Sequence, residues 1–135
     1  MPLKLEIVTP EATAYSDDVD MVVLPGTAGE LGILPMHIPL MTTIKPGELV
    51  VTKNGQTLYL AVGEGFVEVT GTSVSVITDM AVNEQEIDEA KVQEAMDRAE
   101  AQLKDKSLQG EDLAAVESSV LRSLAQLGLK RRRRH

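Results

Sequence analysis

Cysteine and tryptophan are absent from the 135 residues, and the aromatic set is one phenylalanine and two tyrosines. Without cysteine there is no disulfide framework and no thiolate zinc site, which excludes a small secreted fold held by bridges and fits a reducing compartment. With so few aromatics, stacking on bases or sugar rings is excluded as the main activity, and the core must come from Val, Ile, Leu and Met. Long apolar runs are missing too: nowhere do about eighteen apolar residues follow one another. The start, Met1-Pro2-Leu3-Lys4-Leu5-Glu6, has no apolar stretch behind a basic segment. The expectation is a chain with no visible export signal that does not itself cross a membrane.

Basic charge is scarce everywhere except at the C-terminal tip. Residues 1–83 carry 3 basic and 10 acidic side chains, residues 84–129 carry 5 and 11, and residues 130–135 carry 5 basic and none acidic. An acidic body argues against a nucleic-acid partner, because duplex binding needs a broad basic face.

Over residues 3–82 apolar and polar side chains alternate in short runs interrupted by turn chemistry, the pattern of strands. Leu3–Val8 alternates in this way. Asp20–Leu24 runs into Pro25-Gly26, Leu31–Leu34 into Pro35, and Gly47–Thr52 into the hairpin signal Asn54-Gly55. Thr57–Val62, Gly65–Thr70 and Thr72–Thr78 complete the set. Many short strands with regular turns predict an antiparallel β-sandwich or partly closed barrel.

Beyond Asn83 glycine and proline nearly vanish and Ala, Glu, Gln, Lys and Leu dominate, the composition of helix. Asn83 with Glu86 three residues later has the form of a capping box, so a helix is expected to begin there. Val92, Ala95, Met96, Ala99 and Leu103 form one apolar stripe. After a break at Ser107–Gly110, Leu113, Val116, Val120, Leu124 and Leu127 form a second. Two amphipathic helices joined by so short a loop predict an antiparallel hairpin. The fold class is therefore α+β, mainly β: a sandwich over residues 1–83 and a helical hairpin over 84–135. The alanine-rich first helix buries little area, so the hairpin is expected to open or dock elsewhere.

The run Val22-Val23-Leu24-Pro25-Gly26-Thr27-Ala28-Gly29-Glu30-Leu31-Gly32-Ile33-Leu34-Pro35-Met36-His37-Ile38-Pro39-Leu40 strongly resembles the signature of the F-type ATP synthase epsilon subunit family, bacterial type. Ile44–Leu49, Gly65–Val69 and Val74–Asp79 follow in the order that family shows. The resemblance covers almost the whole chain. It implies a non-catalytic rotor subunit of the central stalk, whose sandwich joins the gamma subunit to the ring of c subunits. The helical hairpin would extend along gamma and hinder ATP hydrolysis by the alpha/beta catalytic hexamer. It further implies residence on the cytoplasmic face of the bacterial inner membrane, with membrane association through the complex only.

Individual residues carry two readings each. Gly26, Gly29, Gly32, Pro25 and Pro35 serve turn architecture in any sandwich, whereas Glu30 and His37 are the candidate contacts to the c ring that the resemblance implies. A lone internal His makes no usual transition-metal site, and neither a nucleophile elbow nor a phosphate loop accompanies it, so no catalytic residue is assigned. Some bacterial members bind ATP between the helices through Ile or Leu, Asp, two variable residues, Arg and Ala. Here Ile87-Asp88-Glu89-Ala90-Lys91-Val92 keeps Asp88 but has Lys91 for the Arg, and Lys lacks the planar fork. Asp88, Lys91, Arg98 and Arg122 are the candidate ATP residues, with solvated helix surface as the plain reading of the last two. No cofactor is required, and ATP is a regulatory ligand at most. Arg131, Arg132, Arg133 and Arg134 read either as a solvated tail or as a latch onto acidic segments of the hexamer. Two other classes stay in view: a free-standing ATP-sensing module, and a ligand-binding sandwich, which would need a lined pocket that so few aromatics do not supply.

Overall fold

The computed structural model describes residues 3–105 and 107–133. The described residues form strands β1 (Leu3–Val8), β2 (Thr13–Val19), β3 (Met21–Gly26), β4 (Gly29–Ile33) and β5 (Leu40–Ile44). They continue with β6 (Gly47–Lys53), β7 (Gln56–Val62), β8 (Gly65–Val69), β9 (Ser73–Thr78) and β10 (Ala81–Asn83). A 3-10 turn over Glu84–Glu86 leads into α1 (Glu89–Leu103) and α2 (Gly110–Arg133).

Hydrogen-bonded neighbours follow the order β10-β7-β6-β3-β5-β8-β9-β1-β2, and β4 pairs with β3. β3 joins the two layers. Met21, Val22 and Val23 pair with β6, but the strand meets β5 only at Gly26 opposite Ile44. At the far corner the Asp20 N–H donates to the Thr52 carbonyl at 2.8 Å, and Lys53 Nζ bonds Asp17 at 2.5 Å, so β2 folds against β6 and the sandwich closes. One pairing departs from the expected antiparallel pattern: β1 runs parallel to β9, with Leu5 opposite Val74 and Ile7 opposite Val76. Parallel neighbours need a long connection, and all of β2 to β8 intervenes.

The period of two is visible in the burial. Leu3, Leu5 and Ile7 of β1, Val22 and Leu24 of β3, Leu49 and Val51 of β6, and Val67 and Val69 of β8 fill one core. Each such side chain contributes on the order of 1.5–3 kcal/mol by leaving water. β7 breaks the alternation because Leu60, Ala61 and Val62 are all buried. Leu60 and Val62 point into the sandwich, while Ala61 points outward beneath the helices, in a second cluster with Met80, Ile87 and Leu129.

Close strand approach explains one glycine. A Cβ on Gly65 would run into the Ile77 carbonyl of β9, so only glycine lets β8 and β9 pair at that point.

Helix onset is corrected by the structure. Asn83 Oδ1 accepts the Gln85 N–H at 3.0 Å and caps only the 3-10 turn. Ile87 then adopts extended angles (φ −76°, ψ 120°), and its side chain is buried with Ala61 and Leu129. The apolar docking of Ile87 thus interrupts the helical run. α1 starts afresh behind Asp88, whose Oδ1 accepts the Lys91 N–H at 3.2 Å.

The two helices pack as an antiparallel hairpin, as expected. Arg131, near the end of α2, reaches Gln93 at 2.8 Å, near the start of α1. The second apolar stripe is corrected at one position: Leu124 is 50% exposed, whereas Leu129, outside the stripe, is 1% exposed. The C-terminal half of α2 faces two bodies at once. Ser118, Arg122, Ala125, Gln126 and Leu129 meet the sandwich, while Leu127 lies one helical turn before Arg131, on the α1 side.

Candidate functional site

Two exposed apolar surfaces and one docked hairpin stand out. The first surface is the β4–β5 connection. Leu34, Met36 and Ile38 are 56%, 72% and 79% exposed, although the loop backbone is tied down: the Met36 N–H donates to the Gly71 carbonyl at 2.8 Å, and the His37 N–H to Leu34 at 3.2 Å. Met36 takes a positive φ of 71°, a backbone state that costs a non-glycine residue energy. Three apolar side chains displayed on a fixed loop form an exposed patch of the kind that marks interaction surfaces.

Glu30 and His37 flank this surface. Glu30 lies in strand β4 opposite Pro25 rather than in a loop, and its side chain is exposed. His37 is half-buried, with Nδ1 2.7 Å from the Ile38 carbonyl. His37 therefore lies within the apolar loop itself, and Glu30 on the strand that leads into it.

The second surface is the outer face of β5, β8 and β9. Phe66 and Ile77 are direct cross-strand partners and are 42% and 46% exposed. A shallow recess of about 460 Å³ beside them is lined by Val8, Pro10, Gly65, Phe66 and Ile77 among others. Sequence reasoning missed this face. The signal was available in parity: Phe66 and Glu68 alternate with Val67 and Val69, and the two valines are buried, so the only phenylalanine had to point outward.

The candidate nucleotide residues are engaged in different ways. Asp88 uses its carboxylate as the cap of α1, while the side chains of Lys91 and Arg98 are exposed. Arg122 Nη1 binds Asp79 at 3.2 Å and Ser118 at 2.9 Å. Asp79 sits where Gly63 has no side chain; a Cβ there would strike its carboxylate.

The basic tip folds back onto the chain's own carboxylates. Lys130 lies 3.7 Å from Glu84, Arg131 3.7 Å from Glu89, and Arg132 3.0 Å from Glu48. Arg133 ends α2, and Arg134 lies outside the described residues. Among the described residues no cluster of three or more His, Cys, Asp or Glu side chains could hold a metal, and no helix is long and apolar enough to cross a membrane.

A mainly-β sandwich with outward apolar surfaces and a docked two-helix arm defines a binding subunit class. Comparison with known proteins gives the family. The family described as ATP synthase, Delta/Epsilon chain, beta-sandwich domain matches residues 2–84, and its long alpha-helix domain matches residues 85–130. The chain is 41% identical over 135 residues to the ATP synthase epsilon chain of Herpetosiphon aurantiacus, covering 100% of this chain and 98% of that one. It is 43% identical over 132 residues to that of Dehalococcoides mccartyi, covering 98% and 94%. A chain of the Euglena gracilis mitochondrial ATP synthase structure shares the fold, with a TM-score of 0.72 at 23% identity over 99% of this chain and 82% of that chain. The protein belongs to the ATP synthase epsilon subunit family.

Proposed function

We propose that the chain acts as the non-catalytic central-stalk subunit of an F-type ATP synthase, coupling ion flow to synthesis and restraining hydrolysis through its helices. The face around Phe66 and Ile77 is assigned to the gamma subunit. The Leu34–Ile38 loop, with Glu30 and His37 beside it, is assigned to the c ring, and the arm to the alpha/beta hexamer. The complex lies on the cytoplasmic face of the membrane. The observation that carries this reading is the pair of fixed, exposed apolar surfaces on one compact sandwich, which suits a clamp between a shaft and a ring.

ATP enters as a regulatory ligand only. Its occupancy between the helices would require Arg122 to leave Asp79, and heat on titrating millimolar ATP into the isolated chain tests this.

The test of the main reading is the ATPase rate of an epsilon-depleted catalytic head containing gamma, titrated with the full chain and with Phe66→Ser/Ile77→Ser. Saturable inhibition is expected. The double variant should need at least tenfold more protein, since two apolar contacts of roughly 1.5 kcal/mol or more are removed. No inhibition and no binding to gamma would overturn the reading.

A further inference from the structure

The chain has no cysteine, so its oxidisable sulfur is carried by thioethers alone. Six methionines occur in the sequence, and five lie among the described residues: Met21, Met36, Met41, Met80 and Met96. Their surroundings divide them. Met80 is 9% exposed, and its sulfur accepts a hydrogen bond from Gln126 Nε2 at 3.0 Å, so a lone pair is engaged and an oxidant has little access. Met21 and Met96 are half-buried. Met36 and Met41, in contrast, are 72% and 65% exposed.

The two exposed thioethers stand one on each of the apolar surfaces described above. Met36 lies in the β4–β5 loop between the exposed Leu34 and Ile38. Its N–H bond to the Gly71 carbonyl fixes the backbone at that point, so the loop does not swing the residue out of the patch. Met41 lies in β5 opposite Glu68, on the outer face that also carries Phe66. Beside it is a shallow recess of about 350 Å³ with Pro39 and Leu40 in its walls. Methionine suits such surfaces because its side chain is flexible and polarizable. The same sulfur converts to a polar, chiral sulfoxide on oxidation.

We propose that Met36 and Met41 form a reversible oxidation site through which a hydroperoxide blocks docking of the unassembled chain. The thioether sulfur attacks the terminal oxygen of the hydroperoxide. An S–O bond forms as the O–O bond breaks, and the proton of the transferred hydroxyl passes to the departing oxygen, which leaves as water when the oxidant is hydrogen peroxide. Sulfur is oxidised by two electrons and the peroxide is reduced by two. Covering the new S=O group against an apolar partner strips it of water without supplying a donor, which disfavours the contact. No charge changes, so the loss is independent of salt. Thiol-dependent sulfoxide reductases reverse the step. Once the surfaces are covered the sulfurs are shielded, so the site acts before assembly. This inference rests on the assignment of the two surfaces to partners, whereas the selectivity of the oxidation is a property of the isolated chain.

The test begins with the full chain in hydrogen peroxide, followed by peptide mass spectrometry of each methionine. Met36 and Met41 should oxidise at least tenfold faster than Met80, with Met21 and Met96 between. The treated chain is then titrated onto membranes carrying the complex depleted of this subunit. Half-occupancy should need at least tenfold more treated than untreated chain at low and high salt alike, and sulfoxide reductase with a thiol should restore the untreated value. Met36→Leu/Met41→Leu should give the same half-occupancy before and after peroxide, whatever its starting affinity. Oxidation of Met80 as fast as Met36, or equal loss of docking in the treated double variant, would overturn the assignment of the site. Docking that survives full oxidation of both residues would overturn the inference alone. An untreated chain that does not dock would overturn the functional reading and the inference together.

Discussion

Leu129→Ala is the perturbation that most directly separates the arm from the sandwich. Leu129 is 1% exposed and packs in the cluster of Ala61, Met80 and Ile87, with Tyr59, Val82, Val92 and Ala125 around it. Truncating a buried leucine costs about 2–5 kcal/mol, depending on how far the site collapses. Here the loss falls on docking, because the sandwich has its own separate core of residues such as Leu5, Leu24 and Val67. Even the lower figure shifts the docking equilibrium by roughly 30-fold. Hydrogen exchange resolved by segment is the suitable assay. Amides of α2 and of the 3-10 turn should lose protection, while those of β1, β6 and β8 keep theirs. Leu124→Ala serves as the control: that side chain is 50% exposed, and its removal should stay within about 0.5 kcal/mol. Equal exchange in the two variants, or loss of protection throughout the sandwich, would refute the division into a stable body and a weakly held arm.

Gly65→Ala should destabilise the sandwich by about 1–3 kcal/mol, because the new methyl meets the Ile77 backbone and β8 and β9 must part; thermal melting checks this, and an unchanged midpoint would contradict the close approach. Asp88→Ala should cost α1 about 1 kcal/mol by removing its cap, seen as faster exchange in the first turn, whereas Asp88→Asn should be nearly silent. The hydrogen bond from Lys53, then that from the Asp18 N–H, hold the Asp17 carboxyl below its usual value of 3.8. A depressed folded-state value gives stability that is present above about pH 4 and is lost as pH falls through the folded value. The melting difference between the unchanged chain and Asp17→Asn should therefore exist at pH 7 and vanish near pH 2. A difference that persists at pH 2 would assign the effect to something other than the ionised pair.

Most strands were legible because each buries one face, so Leu3, Leu5 and Ile7 alternate with polar neighbours. Three strands escaped. β2 reads Thr-Ala-Tyr-Ser-Asp-Asp-Val and buries only Val19, since an edge strand needs little apolar patterning to pair. β10 has three residues and none buried, and β5, Leu-Met-Thr-Thr-Ile, exposes Met41 and buries only Ile44, so neither sequence shows a clear alternation. The candidate contact residues Glu30 and His37 came from the resemblance alone, whereas the exposure of Phe66 and Ile77 was missed because an exposed apolar residue looks like core until its parity is compared with its neighbours.

The order of elements, the change from strand to helix near Asn83 and the charge at the tip follow from local composition and periodicity, which act over a few residues and can be read along the chain. Three features depended on tertiary contacts. The β1–β9 parallel pairing joins segments far apart in sequence. Ile87 leaves the helix to bury its side chain under Leu129, so Asp88 becomes a cap. The cations of α2 rest on Glu48, Asp79, Glu84 and Glu89, because charge complementarity acts through space and no periodicity along a chain records which distant carboxylate a helix end will meet.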